Sequence, residues 1–90
     1  MKTQYRESFL RDVRKVKDQD LLGRVCEVIE QVEKSIKLAD LAGLRKLKHP
    51  GGYFRIKIGD YRCGLRVEDD TVTFVRLLHR KDIYRYFPKS

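Results

Sequence analysis

Residues 53–66 read Tyr53-Phe54-Arg55-Ile56-Lys57-Ile58-Gly59-Asp60-Tyr61-Arg62-Cys63-Gly64-Leu65-Arg66. With a period of two, Phe54, Ile56 and Ile58 point one way while Arg55 and Lys57 point the other. Gly59-Asp60 is a two-residue turn between antiparallel strands, with glycine supplying the positive φ that a II′ turn needs at its first position. That turn length sets the pairing: Ile58 opposite Tyr61, Lys57 opposite Arg62, Ile56 opposite Cys63, Arg55 opposite Gly64 and Phe54 opposite Leu65. The apolar residues of both strands then share one face, which supports the register. The other face sets Lys57 directly across from Arg62, and like charges so placed destabilise a strand pair. A chain that keeps them either spreads the side chains into water or uses them on an anion, and phosphate is the anion that fits.

Downstream, Asp69-Asp70 predicts a second tight turn and Thr71–Leu78 a third long strand. A regular ladder pairs Val67 with Val72 and Leu65 with Phe74. It also drops Arg76 onto the apolar face and puts Val75 and Leu77 on the basic one. A bulge, or a strand covered on both sides, resolves the misfit. In this register His79 falls opposite Asp60, near Lys57 and Arg62. Ile83–Phe87 reads as a last helical turn before Pro88. Upstream, Lys2–Tyr5 reads as a short strand, and Ser8 as the N-cap of a helix carrying Phe9, Leu10, Val13 and Val16 at helical spacing. Lys17–Asp20 breaks it, with Asp18 or Asp20 capping the next helix. There Leu22, Val25, Ile29, Val32 and Ile36 make one stripe, widened by Leu21, Cys26 and Val28. Gly43 ends a turn over Leu38–Ala42, Leu44–Lys48 is a basic edge strand, and His49–Gly52 a loop. Two helices followed by strands predict an α+β fold: two N-terminal helices packed on one face of a small, mostly antiparallel sheet. The basic face is then left open on the far side.

Ninety residues make one domain, 1–90. A hydrophobic content of 41% argues for a folded chain. No apolar run approaches the roughly 20 residues of a membrane span, and the start lacks the apolar stretch of a secretory signal, so a cytoplasmic protein is expected. Cys26 and Cys63 both fall on apolar positions and are expected free and buried. With His49 and His79 they form no metal-ligand spacing, and no metal or other cofactor is expected. The net charge of +8 is uneven: residues 1–43 carry nine Lys/Arg against eight Asp/Glu, whereas residues 44–90 carry twelve against five. The strand half therefore suits a polyanionic partner, either nucleic acid or an acidic protein.

Arg55, Lys57, Arg62 and Arg66 lie on the basic face. His79, Arg80 and Lys81 close the third strand, and Tyr84, Arg85 and Tyr86 follow. Two cations on a phosphate with a titratable or phenolic group nearby are the parts needed to cleave a phosphodiester without metal. Cations stabilise the charge building on phosphorus, a base takes the proton of the attacking hydroxyl, and an acid protonates the leaving oxygen. In RNA the 2′-hydroxyl is available as attacker. Lys57 is the first candidate base, since the like charge of Arg62 beside it favours its neutral form, and His79 the second. Tyrosines also stack on unpaired bases. If the face were only a solvated surface, Arg62→Ala would relieve repulsion and leave stability unchanged or raised.

The run Tyr53–Arg62, Glu68-Asp69-Asp70, and Val75–Tyr84 with its His-Arg-Lys-Asp-Ile-Tyr ending, resembles the RelE/ParE superfamily of bacterial toxins, the toxin halves of type II toxin–antitoxin pairs. The resemblance spans nearly the whole chain. For the RelE branch it implies a ribosome-dependent endoribonuclease acting on messenger RNA and a cognate antitoxin as partner. It matches Arg55 and Lys57 to the basic strand residues, Arg62 to the arginine after the turn and Arg80 to the arginine at the end of the last strand. The substrate-stacking tyrosine is Tyr86 by spacing or Tyr84 within the motif, and some relatives carry a histidine where His79 stands. The glutamate base of one RelE subgroup has no match. The ParE branch implies instead a poison of DNA gyrase without cleavage chemistry. A third possibility is an inactive toxin-like module whose basic face only holds the antitoxin.

Overall fold

A computed structural model describes residues 1–88; Lys89 and Ser90, the end of the expected 1–90 domain, lie outside the described residues. The chain runs β1 (Lys2–Tyr5), α1 (Glu7–Lys15), α2 (Gln19–Lys34), a 3₁₀ turn (Leu38–Asp40), β2 (Leu44–Lys46), β3 (Tyr53–Ile58), β4 (Tyr61–Glu68), β5 (Thr71–His79) and α3 (Ile83–Tyr86). The five strands form one sheet in the order β1-β5-β4-β3-β2, antiparallel except for β1 beside β5. This is the expected α+β arrangement, with α1 and α2 covering the apolar face. No helix among the described residues is long and apolar enough to cross a membrane.

The central hairpin has the register its turn dictates, with Ile58 opposite Tyr61 and Lys57 opposite Arg62. Gly59 takes φ +58 and Asp69 φ +56, each at the first position of its two-residue turn. Ile56, Ile58, Cys63, Leu65, Phe74 and Leu77 are buried against Phe9, Leu21, Val25 and Val32 from the helices. Phe74 stacks on Tyr5 with ring centroids 5.3 Å apart and meets Phe9 at the same distance, which ties β1 and α1 to β5.

Both devices that could accommodate Arg76 are present. The ladder slips between Gly64 and Leu65: Leu65 faces Phe74, but Gly64 faces Arg76, so Val75 is the extra residue of a bulge. Leu77 thereby returns to the apolar face opposite Cys63. Val75 stays on the far face and is covered there, packed with Ile83 and Phe87 and flanked by Leu47, Tyr53 and Leu78. The far face is therefore not left open as expected. The chain after β5 folds back across its middle, and Phe87 lies on Gly64: a Cβ at that position would stand 2.8 Å from the ring. The absence of a side chain at Gly64 is what admits the aromatic cover.

Arg76 reaches past the strand edge to Asp12 of α1. Its Nε donates to Oδ2 at 2.7 Å and its Nη2 to Oδ1 at 3.1 Å, while the Leu77 amide donates to Oδ2 at 2.9 Å. Asp12 is buried, so this charge is fully engaged in a bidentate pair plus a backbone bond. Ser8 is not a helix cap. Its hydroxyl donates to Val75 O at 2.6 Å, and the α1 cap position, Arg6, makes no side-chain capping bond. Asp18 does cap α2, accepting from Asp20 N and Leu21 N.

Two apolar assignments need correction. α2 ends at Lys34, so Ile36 falls beyond the stripe and is 88% exposed. Cys26 is exposed rather than buried, because it sits at the border of the stripe, on the open groove between α1 and α2. Cys63 is buried, and burial, aided by the Asp12 carboxylate, pushes its thiol far above the usual range. In the native protein a disulfide-exchange thiol reagent should modify Cys26 within minutes and Cys63 only in denaturant. Rapid native labelling of both would mean that the sheet opens around Cys63. Gly64→Ala should cost about 1–3 kcal/mol in denaturant unfolding, because Phe87 must move. A Gly64→Ala protein as stable as the parent would show that Phe87 is not seated there.

Candidate functional site

The basic face carries three rows across the sheet: Lys57, Arg62 and Leu78; Arg55, Gly64 and Arg76; and Tyr53, Arg66 and Thr73. The like charges are relieved by turning the guanidinium groups onto backbone carbonyls. Arg62 Nη1 donates to Gly59 O and Tyr61 O, both at 2.9 Å, so its head is held at the β3–β4 turn. Arg55 Nη1 donates to Gly43 O at 2.8 Å, toward β2, and its Nε is buried with no partner among the described residues. Arg66 lies over the Tyr53 ring at 5.8 Å, reaches Gly51 O at 3.4 Å and stands 4.0 Å from Glu68. Lys57 is exposed and has no ion-pair partner among the described residues. The arginines are thus anchored, while Lys57 projects into solvent between Arg55 and the turn.

His79 lies elsewhere than the regular ladder puts it. The bulge advances the register by one residue, so His79 faces Tyr61 rather than Asp60 and joins the helix-side face, while the Arg80 amide donates to Asp60 O at 2.8 Å. His79 and the Lys57–Arg62 row therefore share one end of the sheet but occupy opposite faces, with Arg80 in the turn between them.

A cleft of about 330 Å³ opens at this end, between the C-terminal turn of α1 and α3. Asp12, Lys15, Tyr61, Arg76, His79, Asp82 and Tyr86 contribute its polar lining. The His79 ring meets Tyr61 edge-on at 5.6 Å. The Lys81 amide donates to His79 Nδ1 at 3.1 Å, so in the neutral ring Nε2 carries the proton. His79 thus presents a hydrogen-bond donor rather than a lone pair, which suits it to an oxyanion and not to the work of a base. Tyr86 is 45% exposed with the Arg76 guanidinium 5.5 Å from its ring centre. Tyr84, the candidate within the motif, is more exposed and does not line the cleft, whereas Tyr86, the candidate by spacing, does. Arg80, Lys81 and Arg85 are exposed on the turn and α3.

A larger groove of about 730 Å³ lies on the other side of the β3–β4 turn, but Asp18, Asp20, Glu27 and Asp60 outnumber Arg24 along it, and an anion finds little there. Among the described residues no group of three His, Cys, Asp or Glu side chains is disposed to hold a metal ion. Asp12, Lys15 and Tyr61 were not singled out by their residue types, and Arg76 stood out only as the misfit of the third strand. The available signal was the apolar stripe of α1, in which Asp12 occupies a core position beside Phe9, Val13 and Val16.

Comparison with known proteins places this geometry in a lineage. The family described as the ParE toxin of type II toxin-antitoxin systems, parDE, matches residues 3–84. Toxin RelE3 of Methanocaldococcus jannaschii is 39% identical over 89 residues, covering 98% of this chain and 100% of that protein. The fold superposes on the toxin of the RelB–RelE antitoxin–toxin complex from Methanococcus jannaschii with a TM-score of 0.81 and 35% identity, over 94% of this chain and 99% of the other. An archaeal RelE–RelB complex from Pyrococcus horikoshii OT3, at 17% identity and TM-score 0.73 over 91% of this chain and 97% of that one, shares the fold. With matches over nearly its whole length, this chain belongs to the ParE toxin family of type II toxin–antitoxin systems, within the RelE/ParE superfamily and with a RelE-like fold.

Proposed function

We propose that this chain is the toxin of its pair and cleaves messenger RNA on the ribosome. The observation that carries the reading is the convergence, at one end of the sheet, of the Lys57–Arg62 row, Arg80, and the cleft holding His79 and Tyr86. Lys57, as the free amine, removes the proton from the 2′-hydroxyl, whose oxygen attacks phosphorus while the bond to the 5′-oxygen breaks. Arg62 and Arg80 stabilise the charge that builds on the phosphoryl oxygens. Solvent water supplies the proton to the departing 5′-oxygen, and His79 hydrogen-bonds through Nε2–H to a phosphoryl or leaving oxygen. Tyr86 stacks on a base of the substrate. Arg55, Lys81 and Arg85 guide the RNA backbone, and Arg66, already engaged by Tyr53 and Glu68, contributes least. The shallow site leaves much of the positioning to the ribosome, and positioning supplies several kcal/mol of barrier lowering.

A cognate antitoxin is the second partner. Its support is the solved RelB–RelE relatives, the short basic edge strand β2, and an apolar groove of about 240 Å³ between α1 and α2 lined by Leu10, Val13, Leu22 and Cys26. An acidic, amphipathic segment complements both features. The competing reading, a DNA gyrase poison without cleavage, draws on the match to a family named for ParE.

Arg62→Ala decides between them. Because Arg62 anchors the turn, the substitution removes two hydrogen bonds from a partly exposed site and should cost about 1 kcal/mol, in contrast to the gain expected from repulsion alone. Ribosome-dependent cleavage, mapped as new messenger-RNA 5′ ends, should fall about 100–1000-fold. An Arg62→Ala protein that stays fully toxic and inhibits gyrase supercoiling would replace the nuclease reading with the gyrase one. His79→Gln, which keeps a donor nitrogen near Nε2, should retain cleavage within about tenfold, while His79→Ala should lose more. Equal loss in both would return His79 to the role of base.

A further inference from the structure

We infer that Arg76 is a positioning residue: clamped by Asp12, it sets the place of the Tyr86 ring at the mouth of the His79 cleft. This inference rests on the reading that Tyr86 meets the substrate.

α3 spans only Ile83–Tyr86, too short for its own hydrogen bonds to hold a side chain in place. Ile83 and Phe87 pin one side of this turn to the far face of the sheet, whereas Tyr86 is exposed and lines the His79 cleft. Its recorded neighbour is the guanidinium of Arg76, 5.5 Å from the ring centre, at a distance where a cation attracts the face of an aromatic ring. A guanidinium on a flexible stem would be a poor support. Arg76 is not flexible: Nε and Nη2 both donate to the Asp12 carboxylate, at 2.7 and 3.1 Å, which fixes the plane of the group. Asp12 is fixed in turn by the Leu77 amide at 2.9 Å and is buried. The support therefore runs from α1 through β5 to α3, and each step has a defined orientation. A side chain that meets substrate needs such backing, since small displacements cost rate.

Lysine at position 76 keeps the charge but not the fork or the flat face, so Arg76→Lys removes orientation and little else. In protein labelled with ¹³C at the tyrosine rings, with Tyr86 assigned by comparison with Tyr86→Phe, the Tyr86 resonances should shift or broaden in Arg76→Lys. Those of Tyr84, also on α3 but with no recorded contact to Arg76, should stay. In ribosome-dependent cleavage, kcat of Arg76→Lys should fall about 10–100-fold with KM little changed. Arg76→Lys should add no further loss in a Tyr86→Ala background. Asp12→Asn, which weakens the same clamp from α1, should reproduce the spectral change and serves if Arg76→Lys does not fold. Unchanged Tyr86 resonances in the folded variant, or losses that multiply in the double variant, would overturn the inference. If Tyr86→Ala itself cleaves at the parental rate, the role given to Tyr86 fails, while the ring resonances still decide what Arg76 does.

Discussion

The architecture depends on how the outer edge of β5 is satisfied. β1 pairs with β5 only as far as Phe74, yet β5 continues to His79. Beyond that point its inward side packs in the core, and unpaired peptide groups there would carry a heavy desolvation cost. The chain meets it by laying α1 along the edge in place of a strand: the Arg6 amide bonds Phe74 O, the Ser8 hydroxyl bonds Val75 O, and the Asp12 carboxylate receives the Leu77 amide. A helix cannot match a ladder through its own backbone, so side chains take over after the first bond. This seats α1, and with it the apolar groove against α2 and the wall of the cleft that holds His79.

Much of this was legible in the chain, and the departures that bear on the site share one physical origin. Alternation and turn length gave the β3–β4 ladder from Ile58–Tyr61 to Phe54–Leu65, because each apolar residue there has one admissible face. The helices and the α+β layout followed from the 3.6-residue spacing of Val25, Ile29 and Val32. The Arg76 misfit pointed to a bulge or to a strand covered on both sides, but not to which, and not to the place of the surplus residue, since one extra residue changes no composition and creates no motif. From the bulge follow the misplaced His79 and the covered far face. Its trace was a pair of violations: Asp12 inside an apolar helix stripe and Arg76 inside an apolar strand. Each looks like noise in its own element. Their opposite charges make them one another's explanation, because a buried charge survives only with a partner.

The candidate site was legible as residue types rather than as geometry. Lys57, Arg62 and Arg80 stand at one end of the sheet, as the pattern implied, but where the Arg62 head points depends on backbone carbonyls that no side-chain pattern reveals. Arg62 is held by Gly59 and Tyr61, so it reports on the turn as much as on any ligand. The different surroundings of Tyr84 and Tyr86 likewise come from residues far away in the chain: Tyr86 lies by Arg76 in the cleft, and Tyr84 lies outside it. A polyanion that follows these groups must bend around the end of the sheet, with its charge on one face and a base near the other. Such a path suits a single strand, whose backbone turns sharply, better than a duplex.

Val75 has one further meaning. The ladder would run without it: Leu65 and Phe74 pair before it, Gly64 and Arg76 after it. As an insertion it is absorbed locally, leaving both flanks in phase, and it gives the polar side of an inner strand a buried greasy foothold. On that foothold, opposite the vacancy at Gly64, the end of the chain finds a surface to grip. Two adjacent strands, one with a residue too many and one with a side chain missing, thus make a socket that neither contains alone. Chains built on this plan could gain or shed their terminal cover through a one-codon change in strand length, with no exchange of core residues at all.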